Sequence, residues 1–278
     1  MSIPPELEAR RRNGWRQTPA TRIPDPEAAA ALIEQVGLAT LYPVSSELPN
    51  LFHAFVGDPQ AKTDSSWDSP SGEVYTWRWT LGRRGAAFYT AVVRSRPTLV
   101  GWALLPALLR LRGEPRTPAQ VYRDGELSEG AYRIAQALEQ SGGALETGEL
   151  RRLAGFPTGK SERAAYLKAV EELDTRLLLA KVFSPDESDT DMRHALVPAR
   201  YPEHVAAASA LSREAAFDLL LAAYLPKAAY ALPTLLAKHL KLPETELRGA
   251  LERLVAAGHA EQAELPGQKG ASYVWKAP

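Results

Sequence analysis

The chain has no cysteine among its 278 residues. That excludes a disulfide framework and any thiolate-held metal or cluster, and it suits a reducing compartment. It has no net charge either, with 33 Lys and Arg against 33 Asp and Glu, which argues against a protein that coats polyanions along its whole surface. Long apolar runs are absent too. The longest, Val100 to Leu111, is too short to span a membrane. The opening Met1-Ser2-Ile3-Pro4-Pro5-Glu6 lacks the apolar core of a secretory signal, so a cytoplasmic protein is expected, nucleoid-associated if it binds DNA. The five histidines (His53, His194, His204, His239 and His259) are dispersed without ligand spacing, so no metal and no cofactor are expected.

One absence is local. No acidic residue occurs between Glu73 and Glu114, and that interval carries Arg78, Arg83, Arg84, Arg94, Arg96, Arg110 and Arg112. Residues 1–125 hold 15 Lys and Arg against 12 Asp and Glu, a net +3, which leaves −3 for residues 126–278. An acid-free stretch studded with arginine is the footprint expected for phosphate contacts. An ordinary solvated face, with its acids elsewhere in sequence, gives the same pattern.

What is present is a repeat. From Leu127 to about Pro198 come three helix-like segments and then two apolar runs, Leu177 to Phe183 and His194 to Val197, around an acidic turn. The order recurs from Leu211 to Trp275. Ala144-Leu145-Glu146-Thr147 answers to Ala231-Leu232-Pro233-Thr234, and Ala169 to Leu173 answers to Ala250 to Leu254. Three helices followed by a two-stranded wing make a winged helix. The fold class read from this is mainly α with short β-hairpins (α+β), in tandem winged-helix modules, three in number. Residues 1–25 read as a basic, partly ordered tail broken by prolines. Residues 26–125 read as an N-terminal winged-helix-like module carrying the arginine-rich stretch, and residues 126–200 and 201–278 as two winged helices. Within the first module, Asp25 and Pro26 begin a helix that Gly37 ends. Val74 to Thr80 reads as a strand, with Trp77 and Trp79 on one face, and Arg83 to Arg94 as an amphipathic helix.

The string Val36-Gly37-Leu38-Ala39-Thr40-Leu41-Tyr42-Pro43-Val44 follows an N-terminal helix. With Leu48-Pro49-Asn50-Leu51, Thr76-Trp77-Arg78-Trp79, Phe88-Tyr89 and Arg94-Ser95-Arg96-Pro97-Thr98, and with winged helices behind them, it resembles the AlkZ-related proteins. These are a branch of the AlkZ/YcaQ-like winged-helix DNA glycosylases of bacteria. The likeness covers most of the chain and implies a DNA-handling scaffold. It also implies a Gln-apolar-Gln or Gln-apolar-Asp triplet that positions the hydrolytic water. Thr40, Leu41 and Tyr42 stand at those places, and neither hydroxyl supplies a carboxylate or an amide carbonyl. The resemblance further implies a C-terminal β-rich part that this sequence lacks.

Other patterns carry less. Ala154 to Ser161 fits a loose phosphate-binding loop, but a helix precedes it where a strand is required, so it reads as the turn of a helix-turn-helix with Thr158 near the next N-cap. Lys160 and Arg163, with Lys168, occupy the recognition-helix position, yet Glu162, Glu171, Glu172 and Asp174 share that helix. Asp64, Asp68 and Glu73 beside Trp67 offer a carboxylate in an aromatic setting; a polar loop anchored by one tryptophan fits as well. Trp77 and Trp79 suit a core better than base stacking.

The function expected is double-stranded DNA binding, in a repair setting and without chemistry. Phosphate contacts are expected from Arg78, Arg83, Arg84, Arg94, Arg96, Arg110, Arg112, Lys160 and Arg163. Two alternatives stay open. One is a tandem winged-helix adaptor that meets a protein partner through the C-terminal winged helix. The other is an active glycosylase with a substituted catalytic set, for which Asp68 and Tyr42 are the candidates.

Overall fold

Capping residues start the helices where side chains can accept from orphan backbone N–H groups. Asp25, Asn50, Ser69, Thr117, Ser128 and Ser212 each do so. The computed structural model describes residues 3–157, 159–268 and 270–276. After α1 (Pro5–Gly14), one order of elements occurs three times. The first copy is α2 (Pro26–Val36), β1 (Leu38–Thr40), α3 (Leu51–Val56), α4 (Pro70–Arg83), β2 (Phe88–Val93) and β3 (Arg96–Val100). Then come α5 (Leu105–Arg112) and α6 (Pro118–Arg123). The second copy is α7 (Glu129–Ser141), β4 (Leu145–Glu146), α8 (Thr147–Leu153), α9 (Lys160–Thr175), β5 (Leu179–Phe183) and β6 (Met192–Leu196). Two connecting helices follow, α10 (Val197–Arg200) and α11 (Pro202–Ala210). The third copy is α12 (Arg213–Ala228), β7 (Tyr230–Ala231), α13 (Pro233–Leu240), α14 (Glu244–Ala256), β8 (Ala260–Ala263) and β9 (Ser272–Trp275).

Each copy ends in the same sheet. The last strand lies in the middle, flanked by its hairpin partner and by the short strand from before the second helix, all antiparallel. The molecule is mainly helical with small three-stranded sheets, and the order is that of the winged helix. Thr158, expected near an N-cap, lies outside the described residues, as does Lys269 in the turn of the last wing. The N-cap of α9 itself is Gly159.

The first copy corrects two expectations. Val74 to Thr80 is helix, not strand. Its valine, threonine and tryptophans favour strands locally, but Ser69 caps, Pro70 occupies the first turn, and Val74, Trp77 and Leu81 are buried at helical spacing. Trp77 and Trp79 therefore do not share a face: Trp77 is fully buried and Trp79 half-buried. Arg83 to Arg94 is not an amphipathic helix. Gly85, at φ 59°, breaks the chain after α4, and Phe88 to Val93 forms the first wing strand. Arg94 and Ser95 both take positive φ, 50° and 57°, as a tight hairpin turn between paired strands requires.

The basic tail also differs from expectation, because residues 5–14 form a helix that packs on α12. Arg11 is only 3% exposed. Its guanidinium meets Glu47 at 2.8 Å and donates to the carbonyls of Ser46 (2.8 Å), Ala228 (2.9 Å) and Tyr230 (2.6 Å). It also lies 3.4 Å from the Tyr230 ring centroid. Burial disfavours its charge, but the fields of Tyr224, Glu47 and Tyr230 outweigh that and its pKa is raised. One apolar core runs through the first and third copies, from Trp15 and Trp77 to Phe217 and Leu251. The middle copy has a core of its own around Ile134, Tyr166 and Leu173.

Removing one partner of a buried ion pair leaves the other charge uncompensated. Arg11→Met is expected to lower unfolding free energy by about 3–5 kcal/mol. Combining it with Glu47→Leu should restore part of that loss, as read from urea midpoints. A double variant no better than the single would show that the pair's charge is not what matters.

His194, in the centre of the middle sheet, is 6% exposed, and its Nδ1 has no hydrogen-bond partner among the described residues. Burial, then the charge of Lys181, holds its pKa well below 6.5. The unfolded chain thus binds a proton that the folded chain refuses. Its stabilisation is complete above pH 6.5 and is lost progressively as pH falls below that value, at up to about 1.4 kcal/mol per pH unit. Denaturation midpoints measured between about pH 7.5 and pH 5 should fall, and His194→Gln should flatten the fall.

Candidate nucleic-acid interface

The loop between α3 and α4 is tied into a fixed shape by its own short polar side chains. Asp64 accepts from Ser66 N (2.9 Å) and Ser69 Oγ (2.5 Å) through one carboxylate oxygen, and its own N–H donates to Ser71 Oγ (3.0 Å). This frame presents Trp67 with its side chain open to solvent, 68% exposed. Trp67 meets Tyr75 edge to face at 5.3 Å, and Tyr75 meets Trp79 in the same manner at 5.3 Å. The Arg78 guanidinium lies over both Tyr75 (3.6 Å) and Trp79 (3.9 Å). Two adjoining hollows open beside this row and share Tyr42 and Asp64. One, of about 220 Å³, runs along Trp67 and Tyr75. The other, of about 510 Å³, ends at Arg94, Arg96 and Pro97 on the tip of the first wing. The cleft is therefore aromatic at one end and cationic at the other.

Thr40 does not reach this cleft. It is fully buried in β1, and its hydroxyl donates to the Tyr42 carbonyl at 2.7 Å. Tyr42 is half-buried at the cleft edge and donates to the Ser71 carbonyl at 2.8 Å. Burial, against the opposing charge of Arg78, raises its pKa above 10, so it stays a neutral donor near neutrality. Of the candidate carboxylates, Asp68 is exposed and lines neither hollow. Glu73 takes the Trp77 Nε1–H at 2.8 Å inside α4. Asp64 is the acid that the cleft holds.

The arginines scatter. Arg83 donates to the carbonyls of Glu187 (3.1 Å) and Asp189 (2.8 Å), pinning the acidic middle wing to α4 with help from Trp79 Nε1 on Thr190 O at 2.8 Å. Arg112 caps two helix ends, donating to Thr175 O at 3.3 Å and to Leu240 O. Arg83 Nη2 and both Nη atoms of Arg112 are thus already bonded to backbone carbonyls. Arg78 is engaged with its rings. Arg84 is exposed at the end of α4, beyond the far end of β2 from Arg94. Arg110 is exposed at the last turn of α5, beside a cavity shared with α11. Arg94 and Arg96 are exposed at the wing tip.

A contact links that tip to the middle module: Ser95 Oγ donates to Glu171 on α9. The mixed charge of α9 then resolves. Glu172 accepts from Ser128 N and Oγ (2.9 and 2.5 Å), and Asp174 pairs with Lys181 at 2.9 Å. Glu171 is exposed and held by Ser95, and Glu162 accepts from Ser161 Oγ beside it; Lys160, Arg163 and Lys168 are exposed and make no ion pair among the described residues. On α14 the reverse holds. Arg248 pairs with Glu244 (2.6 Å) and Arg253 with Asp218 (2.6 Å), while Glu246 takes Arg213 (2.9 Å).

The model of the AlkZ-related family matches residues 23–241. The chain belongs to the AlkZ-related family. Among solved structures it is similar to the DNA glycosylase AlkZ of Streptomyces sahachiroi, with 16% identity and a TM-score of 0.55. That likeness covers 96% of this chain and 69% of the other, and it speaks to the fold. No curated protein matches the chain. No helix among the described residues is long and apolar enough to cross a membrane.

Sequence reading missed the row of Trp67, Tyr75, Arg78 and Trp79. The signal was the spacing of the last three, which brings them together only on a helix, and that segment reads locally as a strand. The contacts of Arg83 yield a direct check. Arg83→Ala should speed amide exchange across residues 184–191, as measured by hydrogen–deuterium mass spectrometry, and Arg94→Ala should not. Equal exchange in the two variants would mean that the wing is held without Arg83.

Proposed function

We propose that this AlkZ-related chain binds double-stranded DNA without cleaving the base–sugar bond. The observation that carries the reading is the Ser95–Glu171 contact. It joins the wing tip bearing Arg94 and Arg96 to the helix bearing Lys160, Arg163 and Lys168, so one surface combines two sets of exposed cations. A phosphate backbone is the polyanion that such a surface suits. Of the acids of α9, Glu172 and Asp174 are engaged with Ser128 and Lys181, while Glu171 takes the Ser95 hydroxyl at the contact itself; the paired cations of α14 suit a scaffold better than a groove reader. In this reading residues 26–125 and 126–200 supply the contacts, and residues 201–278 with the N-terminal helix hold them in place.

The case against chemistry rests on Thr40 and Tyr42. A hydrolytic glycosylase needs a group that accepts a proton from water or steadies a developing cation. Thr40 is sealed in the core, and Tyr42 is a neutral donor already bonded to a carbonyl. A glycosylase with a substituted set is the second reading. It is favoured by one observation, that Asp64 lies in the cleft beside Tyr42.

Binding to a plain duplex should weaken as salt rises. The slope of log K against log salt should shrink by about 2 in the variant Arg94→Ala with Arg96→Ala, since each lost phosphate contact removes roughly 0.9. Fluorescence anisotropy across a salt series reads this. An unchanged slope would retire the wing tip as the contact. Base release from an alkylated duplex should be absent with the protein in excess; release that disappears in Asp64→Asn would establish the second reading.

A further inference from the structure

A second cavity, of about 690 Å³, lies where the three modules meet. The last turn of α5, the strand bases at Leu178 and Leu196, α11 with Val205 and Ala208, and the segment from Lys241 to Pro243 all contribute to its wall. Its volume falls in the range of small-molecule sites, and leucine, valine, alanine and proline make up much of its lining. No side chain of the described residues fills it, although the surrounding leucines are buried.

The charges around it do not balance. Glu114 is neutralised by Arg116 (2.8 Å) and Arg176 (3.0 Å), and Arg213 is matched by Glu246 (2.9 Å). Three cations remain. Arg112 has two helix-end carbonyls but no carboxylate partner among the described residues, and burial lowers its pKa accordingly. Arg110 and Lys241 are exposed at the mouth, and neither makes an ion pair or a side-chain hydrogen bond among the described residues. Lys241 is held there in the left-handed conformation, at φ 51°, as the cap of α13. Against these three the lining offers one acid outside an ion pair, the exposed Glu139.

We infer that this cavity binds a small apolar organic anion, with its ring or short chain against Leu178, Leu196 and Ala208 and its anionic group at Arg110 and Lys241. An uncharged ligand would gain the apolar burial but leave the excess cations unanswered. A highly charged one would gain their attraction but press charge against the leucine and alanine wall. Because all three modules contribute to the wall, a bound anion would also brace their relative positions. The proposal does not depend on the DNA reading, as neither Arg110 nor Lys241 belongs to the wing-tip surface.

The probes are two dyes that share one ring system: 8-anilinonaphthalene-1-sulfonate, which carries an anion, and N-phenyl-1-naphthylamine, which does not. Fluorescence titration of the full chain should show the sulfonate binding at least tenfold tighter. Charge reversal with Arg110→Glu and Lys241→Glu, both exposed and so compatible with folding, should abolish that preference and leave the neutral dye's affinity within about twofold. Ala208→Trp, which fills the cavity, should weaken both dyes more than tenfold while thermal unfolding stays cooperative. Equal affinity for the two dyes in the unmodified chain overturns the proposal. So does a preference that survives charge reversal, or undiminished binding of both dyes to a folded Ala208→Trp variant.

Discussion

The Arg11–Glu47 pair is the constraint on which the assembly rests. A guanidinium offers five donors in a rigid plane. Here they reach a carboxylate and carbonyls from the loop after β1, the end of α12 and the start of β7. Glu47 reaches back to Leu232 N at 3.3 Å, and its own carbonyl accepts from Tyr224 at 2.9 Å. One interaction thus ties the N-terminal helix, the first module and the third. Charges so deeply buried are tolerated because almost every polar atom of the pair has a partner. The consequence is geometric: the first and third modules share a core and hold one orientation, and the middle module docks on a prepared surface.

That docking uses specific contacts. Phe183 of the middle wing lies against Gly82, where any added Cβ would collide with its ring. Tyr89 meets Phe183 edge to face at 5.9 Å. Arg83 and Trp79 bind the wing's backbone from α4. A wing committed in this way cannot also lie along a nucleic acid, and its tip carries Asp186, Glu187, Asp189 and Asp191. Among the described residues, the first wing carries an exposed basic tip, Arg94 and Arg96. Three copies of one element order therefore carry three different charge arrangements: exposed cations on the first wing, exposed cations on the middle recognition helix, and paired charges on α14 of the third.

The cleft in the first module couples the same folding logic to chemistry. The short hydrogen bonds among Asp64, Ser66, Ser69 and Ser71 consume the loop's polar groups and leave an indole facing solvent. Thr40 and Tyr42 are consumed likewise, each donating its hydroxyl to a backbone carbonyl. Hydroxyls used in this manner fix the backbone around them. Thr40 and Tyr42 are here part of the structural frame.

The amino-acid sequence by itself determined the repeated order of the second and third modules, since the apolar periodicity there agrees with the final elements. It also determined the departure at Thr40-Leu41-Tyr42, because residue identity alone decides whether a carboxylate or amide is present. It misled where local preference and packing disagree. Val74 to Thr80 is rich in strand-favouring residues, yet burial at every third or fourth position made it helix. Equally, the seven arginines between Glu73 and Glu114 look alike in one dimension. Only the tertiary structure separated Arg83 and Arg112, whose donors meet distant backbone carbonyls, from Arg94 and Arg96, which stay open to solvent. A charge is free or engaged according to what lies across from it, and those partners, Glu187, Asp189, Thr175 and Leu240, are more than 60 residues away along the chain. The same holds for Arg11, one of three adjacent arginines, which burial alone turned from a tail residue into the clamp of the fold.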